Sequence, residues 1–162
     1  MSAYSRYDEY KMLIEDTARF TDRRQNTSTL YTSINTIFLA ALSIIISDFG
    51  ALDIYEALAS LVMIVAGILT SISWRTYILN YKKLISLRFD VLKEMEQSEG
   101  MEDSVKIYAR EDKIFEFTNK KGLFASIEKK LPETFIGIYV FALVIVLVST
   151  SVSIIRHIVS IF

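Results

Sequence analysis

The sequence predicts an all-α membrane protein: three transmembrane helices with an extended cytosolic helical region, assembling as a homo-oligomer. Three observations carry that expectation. The 162 residues are 52% hydrophobic and only 23% charged, and the mean hydropathy of +0.35 is high for a soluble domain. The apolar residues gather in three stretches without a charged residue, 30–47, 57–73 and 135–155, each near the ~20 residues that cross ~30 Å of hydrocarbon. The basic residues, finally, are distributed unevenly around those stretches.

That unevenness sets the expected orientation. Arg6, Lys11, Arg19, Arg23 and Arg24 precede the first stretch, whereas the connector 48–56 holds Asp48, Asp53 and Glu56 and no base. A further twelve of the eighteen Lys and Arg residues lie between Arg75 and Lys130. Cytoplasmic loops collect Lys and Arg, so the N-terminus and the long second connector are expected in the cytoplasm of a bacterial inner membrane. The C-terminus is then outside, with Arg156 and His157 at the outer interface. No signal peptide is expected, because the first apolar run starts behind a charged leader and lacks a small-residue cleavage site.

Taken in order, residues 1–28 are expected to form a cytosolic amphipathic helix, with Tyr7, Tyr10, Leu13, Ile14 and Phe20 at helical spacing. The first transmembrane helix, 29–48, carries a polar stripe. Thr29, Thr32, Thr36, Ala40, Ser43 and Ser47 recur at steps of three or four and share a face. Hydroxyls on such a stripe either line a wet path or bond to a neighbouring helix and let backbones approach.

The second transmembrane helix, 57–97, is expected to continue into the cytosol. Ser60, Met63, Gly67, Thr70, Trp74, Tyr77, Tyr81 and Leu84 follow alternating steps of three and four, extended by Arg88, Val91 and Met95. That spacing is the seam of a left-handed coiled coil. Packing between copies and packing against helices of the same chain both satisfy it. Residues 98–131 should hold a turn near Gly100, a cytosolic helix over 105–121 closed by Gly122, and a short interfacial helix. Pro132 suits the first turn of the third span, 132–156, where its missing N–H costs nothing.

The chemistry of enzymes is poorly represented. With no cysteine and one histidine, a Cys/His metal site is excluded and a serine triad would depend on His157 alone. No glycine-rich phosphate loop appears. The carboxylates Glu94, Glu96, Glu99, Glu102, Asp103, Glu111, Asp112 and Glu116 read as solvated helix faces. The spans lack the ionisable groups that proton relays use. A non-enzymatic protein without a cofactor is expected.

Three patterns point to a family. Trp74-Arg75-x-x-Ile78-x-x-Tyr81-x-x-Leu84, followed by Arg88-Phe89-x-x-Leu92-x-Glu94-Met95-Glu96, resembles the SLATT families of small bacterial membrane effectors. Asp22-Arg23-Arg24-Gln25-Asn26-Thr27 and Ile127-Glu128-Lys129-Lys130-Leu131-Pro132-x-x-Phe135-x-x-x-Tyr139 resemble them too. The resemblance implies a pore-forming effector of antiphage defence. It further implies control by a nucleotide or oligonucleotide made by a partner nucleotidyltransferase, and membrane permeabilisation with growth arrest. Lys82, Lys83 and Arg88 are the candidates for such an anionic ligand, since a guanidinium pairs phosphate oxygens bidentately. For Arg88 the competing expectation is an ion pair with Asp90 or Glu96. The alternative for the whole chain is a non-conducting membrane adaptor that docks a cytosolic partner.

Overall fold

A computed structural model describes residues 6–46, 52–98, 106–108, 110 and 123–159. Three helices make the framework: α1 (Arg6–Ile46), α2 (Ile54–Gln97) and α3 (Leu123–Val159). Among the described residues there is no strand. Each helix has a stretch long and apolar enough to cross a membrane.

Local chemistry explains the ends. Asp53 caps α2: its Oδ1 accepts from the Ile54 N–H at 2.6 Å, and its own N–H donates to Glu56 Oε2 at 3.0 Å. The Glu56 bond is the back-reaching half of a capping box, and both bonds satisfy amide donors that a helix start leaves open. At the other end, the Ser98 N–H and hydroxyl both donate to the Met95 carbonyl. No glycine or proline interrupts residues 6–46, so the leader and the first apolar stretch form one helix rather than two. Pro132 falls at the start of the third membrane-length stretch, Lys130–Val159, but does not open its helix, which begins at Leu123. It lies inside α3 and is fully buried, leaving the carbonyl four residues earlier without its helical donor. Membrane helices tolerate this when surrounding groups compensate.

The chain divides into two compact units. One, the membrane unit, comprises 28–76 and 129–162. Its core is Leu42, Leu52, Ile64, Tyr139, Ala142 and Val146, with Phe38, Met63 and Phe135 packed around it. The centre of this core is polar. Asn35 of α1, Ser71 of α2 and Tyr139 of α3 are all fully buried. Ser71 donates to Asn35 Oδ1 at 3.0 Å, and the Tyr139 hydroxyl lies 3.1 Å from that same oxygen and 3.2 Å from the Asn35 carbonyl. The Asn35 amide donates to the Tyr31 carbonyl at 2.8 Å. Every helix therefore supplies one member of a satisfied network, the condition under which a buried polar group is tolerated. Close by, Trp74 is fully buried, stacked on Tyr31 with ring centroids 6.0 Å apart, and donates to the Ser28 hydroxyl at 3.3 Å.

The other, the polar unit, comprises 1–27 and 77–128 and holds most of the charged side chains. Tyr10 and Leu92 are its buried apolar centre, with Leu13, Ile14, Phe89, Met95 and Tyr108 against them. Of the cytosolic helix expected over 105–121, only 106–108 and 110 fall within the described residues. There the Arg110 N–H donates to the Lys106 carbonyl at 3.1 Å, one helical turn.

Gly67 is where the membrane unit is tightest. A Cβ at this position would lie 2.1 Å from Tyr139 Cζ and 2.4–2.6 Å from both Cε atoms. The ring is held at its far end by Asn35 and has nowhere to retreat. Gly67→Ala is therefore expected to destabilise the membrane unit by about 1–3 kcal/mol, the range for overpacking a filled core. Gly137→Ala, where nothing lies within 4 Å, should be neutral. Thermal unfolding of the detergent-solubilised protein by circular dichroism separates the two.

Candidate functional site

The polar stripe of the first span faces away from the chain's own core. Thr29, Ser33, Thr36, Ala40 and Ser43 are exposed and Thr32 is half-buried, while Ser47 lies outside the described residues. The buried side of α1 is instead Asn35 and Leu42. Three of the hydroxyls donate to their own helix: Thr32 to the Ser28 carbonyl, Ser33 to Thr29 and Thr36 to Thr32, at 2.9, 3.0 and 2.9 Å. All three helices turn hydrocarbon outward, on α1 through Leu30, Ile37 and Ile44 at 58–75% exposure beside the hydroxyls. Leu58, Val62 and Leu69 on α2 are 59–60% exposed, and Phe141, Leu147 and Val148 on α3 are 57–67% exposed.

The seam of α2 behaves differently. Ser60, Gly67 and Trp74 are buried within the membrane unit, and Met63 and Thr70 are half-buried there. The Ser60 hydroxyl is fully buried and makes no hydrogen bond, so this position serves close packing. In the polar unit Tyr77 and Tyr81 are half-buried, with ring centroids 4.4 Å apart, and the Tyr77 hydroxyl lies 3.0 Å from that of Thr27. Beyond them the buried line of α2 passes through Ile78, Ile85 and Leu92. Leu84 and Val91, which the heptad pattern assigns to the seam, remain 37% and 39% exposed.

Among the candidate cations, Lys82 and Lys83 are exposed. Arg88 is not: its Nη1 donates to Asp16 Oδ2, and its guanidinium sits 3.7 Å from the centroid of Phe20. The partner is Asp16 on α1, rather than Asp90 or Glu96 on its own helix. Charge pairing and cation–π stacking together clip α1 to α2.

One expectation is overturned. Glu96 is not on a solvated face but 1% exposed, and its Oε1 accepts from the Tyr10 hydroxyl at 2.8 Å and the Tyr108 N–H at 3.1 Å. The reason is visible in register. Glu96 stands four residues after Leu92 on the buried line of α2, so it enters the core beside Tyr10. There it joins α1, α2 and Tyr108. Asn35 was also missed; its signal was to be the sole amide in the uncharged stretch 30–47. Among the described residues no group of three or more His, Cys, Asp or Glu side chains is arranged to hold a metal ion.

A helical chain with three membrane-length apolar helices, each showing much of its hydrocarbon outward, is a multi-pass membrane protein whose spans are completed by lipid or by further protein. The chain belongs to the octameric membrane protein family (8xMP), whose model matches residues 7–148. It is accordingly an oligomeric membrane protein. No curated protein and no solved structure matches the chain. The match names this octameric family and does not name the SLATT families.

Burial first, and then the Glu96 hydrogen bond, raise the Tyr10 hydroxyl above the ordinary phenol range. A raised value in the fold means that the neutral phenol is held more tightly there than in the unfolded chain. Its stabilisation is complete below about pH 10 and is lost as pH climbs toward the raised value. Tyr10→Phe should cost the polar unit about 1–3 kcal/mol, because it removes a donor from a buried carboxyl group, and should abolish this alkaline loss. Denaturation monitored by circular dichroism from about pH 8 to 12 checks both.

Proposed function

We propose that the chain is a pore-forming membrane effector in which copies assemble around a path lined by α1. One feature carries this reading: α1 turns a stripe of hydroxyls outward, Thr29, Ser33, Thr36 and Ser43, beside the outward hydrocarbon of Leu30, Ile37 and Ile44. Hydroxyls gain nothing from lipid tails, whereas a water-filled lumen or a neighbouring subunit gives them partners. The family's name supplies eight as the number of copies. The unequal distribution of Lys and Arg supports a cytoplasmic N-terminus and an external C-terminus in the inner membrane of a bacterium.

The SLATT resemblance supports the biological setting. On that reading the protein is a non-enzymatic effector of antiphage defence, opened or closed by a nucleotide or oligonucleotide from a partner nucleotidyltransferase. Permeabilisation of the membrane then arrests growth. Lys82 and Lys83, exposed and side by side, are the cations best placed to take the phosphates. Arg88, committed to Asp16 and Phe20, supports their helix instead. A ligand test should therefore reverse the two lysines, since Arg88→Glu would set a carboxylate beside Asp16 and disturb the fold itself.

The experiment is reconstitution into liposomes with release of potassium and a small dye. Protein-dependent release is expected, altered several-fold by Thr36→Val combined with Ser43→Ala and unaltered by Leu147→Ala on the outward face of α3. Tight vesicles with full incorporation would replace the pore by a membrane adaptor. Where release is seen, a nucleotide response present in the wild type and absent from Lys82→Glu/Lys83→Glu is the expected outcome for the ligand site.

A further inference from the structure

The polar unit has two unlike sides. On one, α1 and α2 bound an open groove of about 690 Å³. Met12, Leu13 and Met95 give it an apolar floor, and Glu9 and Glu15 stand on its rim. Asp16 also borders the groove, but its carboxylate is taken by Arg88; Arg19 closes the far edge. Met12 is 60% exposed, and the strip continues along α2 through Val91 and Leu84, which helical spacing puts on the side of Met95. Exposed apolar surface of this kind in a charged unit marks an interaction site.

A different side of the same helix pair carries residues 106–108 and 110. Tyr108 is anchored there by Glu96 and by the Phe89 ring, with centroids 5.4 Å apart. Lys106 and Arg110 flank that anchor and form no ion pair among the described residues; neither do Glu9 and Glu15. Met95 in the groove floor and Glu96 under Tyr108 are consecutive residues. The acidic groove and the basic residues flanking Tyr108 therefore lie at one level of α2, about 100° apart around its axis.

We propose that the groove is the seat of a second copy of this chain, whose residues 106–108 and 110 enter it with Lys106 and Arg110 against Glu9 and Glu15. A cyclic ring puts every copy at the same height and joins one side of each copy to a different side of the next. Complementary patches at one level on different sides are what such head-to-tail closure requires. Membership of an octameric family supplies the need for that contact. The inference rests on self-assembly, which the pore reading shares, and does not rest on conduction.

Because the chain has no cysteine, the contact is testable by disulfide trapping in the full-length protein in membranes. Met12→Cys and Ile107→Cys, combined in one chain and oxidised, should give a ladder of covalent multimers on a denaturing gel. Each single variant should remain monomeric, and the two singles mixed should stop at dimers. In parallel, Glu15→Lys and Arg110→Glu should each lower the assembled fraction several-fold on native gels, and their combination should restore it. Assembly at full size with no ladder and no restoration by the charge swap would overturn the inference while leaving the pore reading untouched. A ladder in a protein whose vesicles stay tight would do the reverse.

Discussion

The ring of Tyr139 fills the space that a side chain at position 67 would need, and its hydroxyl reaches Asn35 on the far side of the core. The two contacts are interdependent. The missing Cβ lets the ring lie against α2, and the ring's length then delivers a hydroxyl to α1. Ser71 completes the arrangement from α2. In lipid there is no hydrophobic drive between helices, so close packing and interhelical hydrogen bonds have to hold them. This one network, drawing a residue from each helix, fixes both the register and the facing of all three. The outward position of the hydroxyl stripe follows, because Asn35 and Leu42 can be inside only if Thr36, Ala40 and Ser43 are outside.

The polar unit reaches the same end by other means. In water an apolar core is stabilising, and Tyr10, Leu92 and their neighbours form a small one. Its specificity comes from charge and hydrogen bonding at defined points. Arg88 is held by Asp16 and Phe20, and Glu96 by Tyr10 and Tyr108. Glu96 sits where removing a donor strands a buried carboxyl group, the costly case, whereas Arg88 and Asp16 form a partly exposed pair. Each unit thus uses the interaction that its surroundings leave strong.

The fold was legible in the sequence wherever composition alone decides. Uncharged stretches of membrane length mark the spans, and the absence of glycine and proline after Gly67 marks α2 as one long helix. The seam of α2 was legible as a pattern but not as a partner, since period cannot say whether Ser60, Gly67 and Trp74 meet their own chain or another. The heptad register also drifts from the true buried line after Tyr81, where Ile78, Ile85 and Leu92 take over from Leu84 and Val91. Glu96 was misread for a physical reason: a carboxyl group is assigned to solvent unless its donors are known, and those lie 86 residues before it and 12 after. Asn35 hid among hydroxyl residues of similar polarity, although it alone reaches two other helices. Pro132 followed the usual preference for a first turn, and the helix starting at Leu123 overrode it.

The self-directed bonds of the stripe decide what kind of surface it shows. A hydroxyl has one proton, and in Thr32, Ser33 and Thr36 that proton is given to a carbonyl of the same helix. What remains on each oxygen is its lone pairs. Outwardly these residues form a row of acceptors with no donor among them, electron-rich without carrying a formal charge. Such a row complements the hydrogens of water or a small cation, and has little to give an anion.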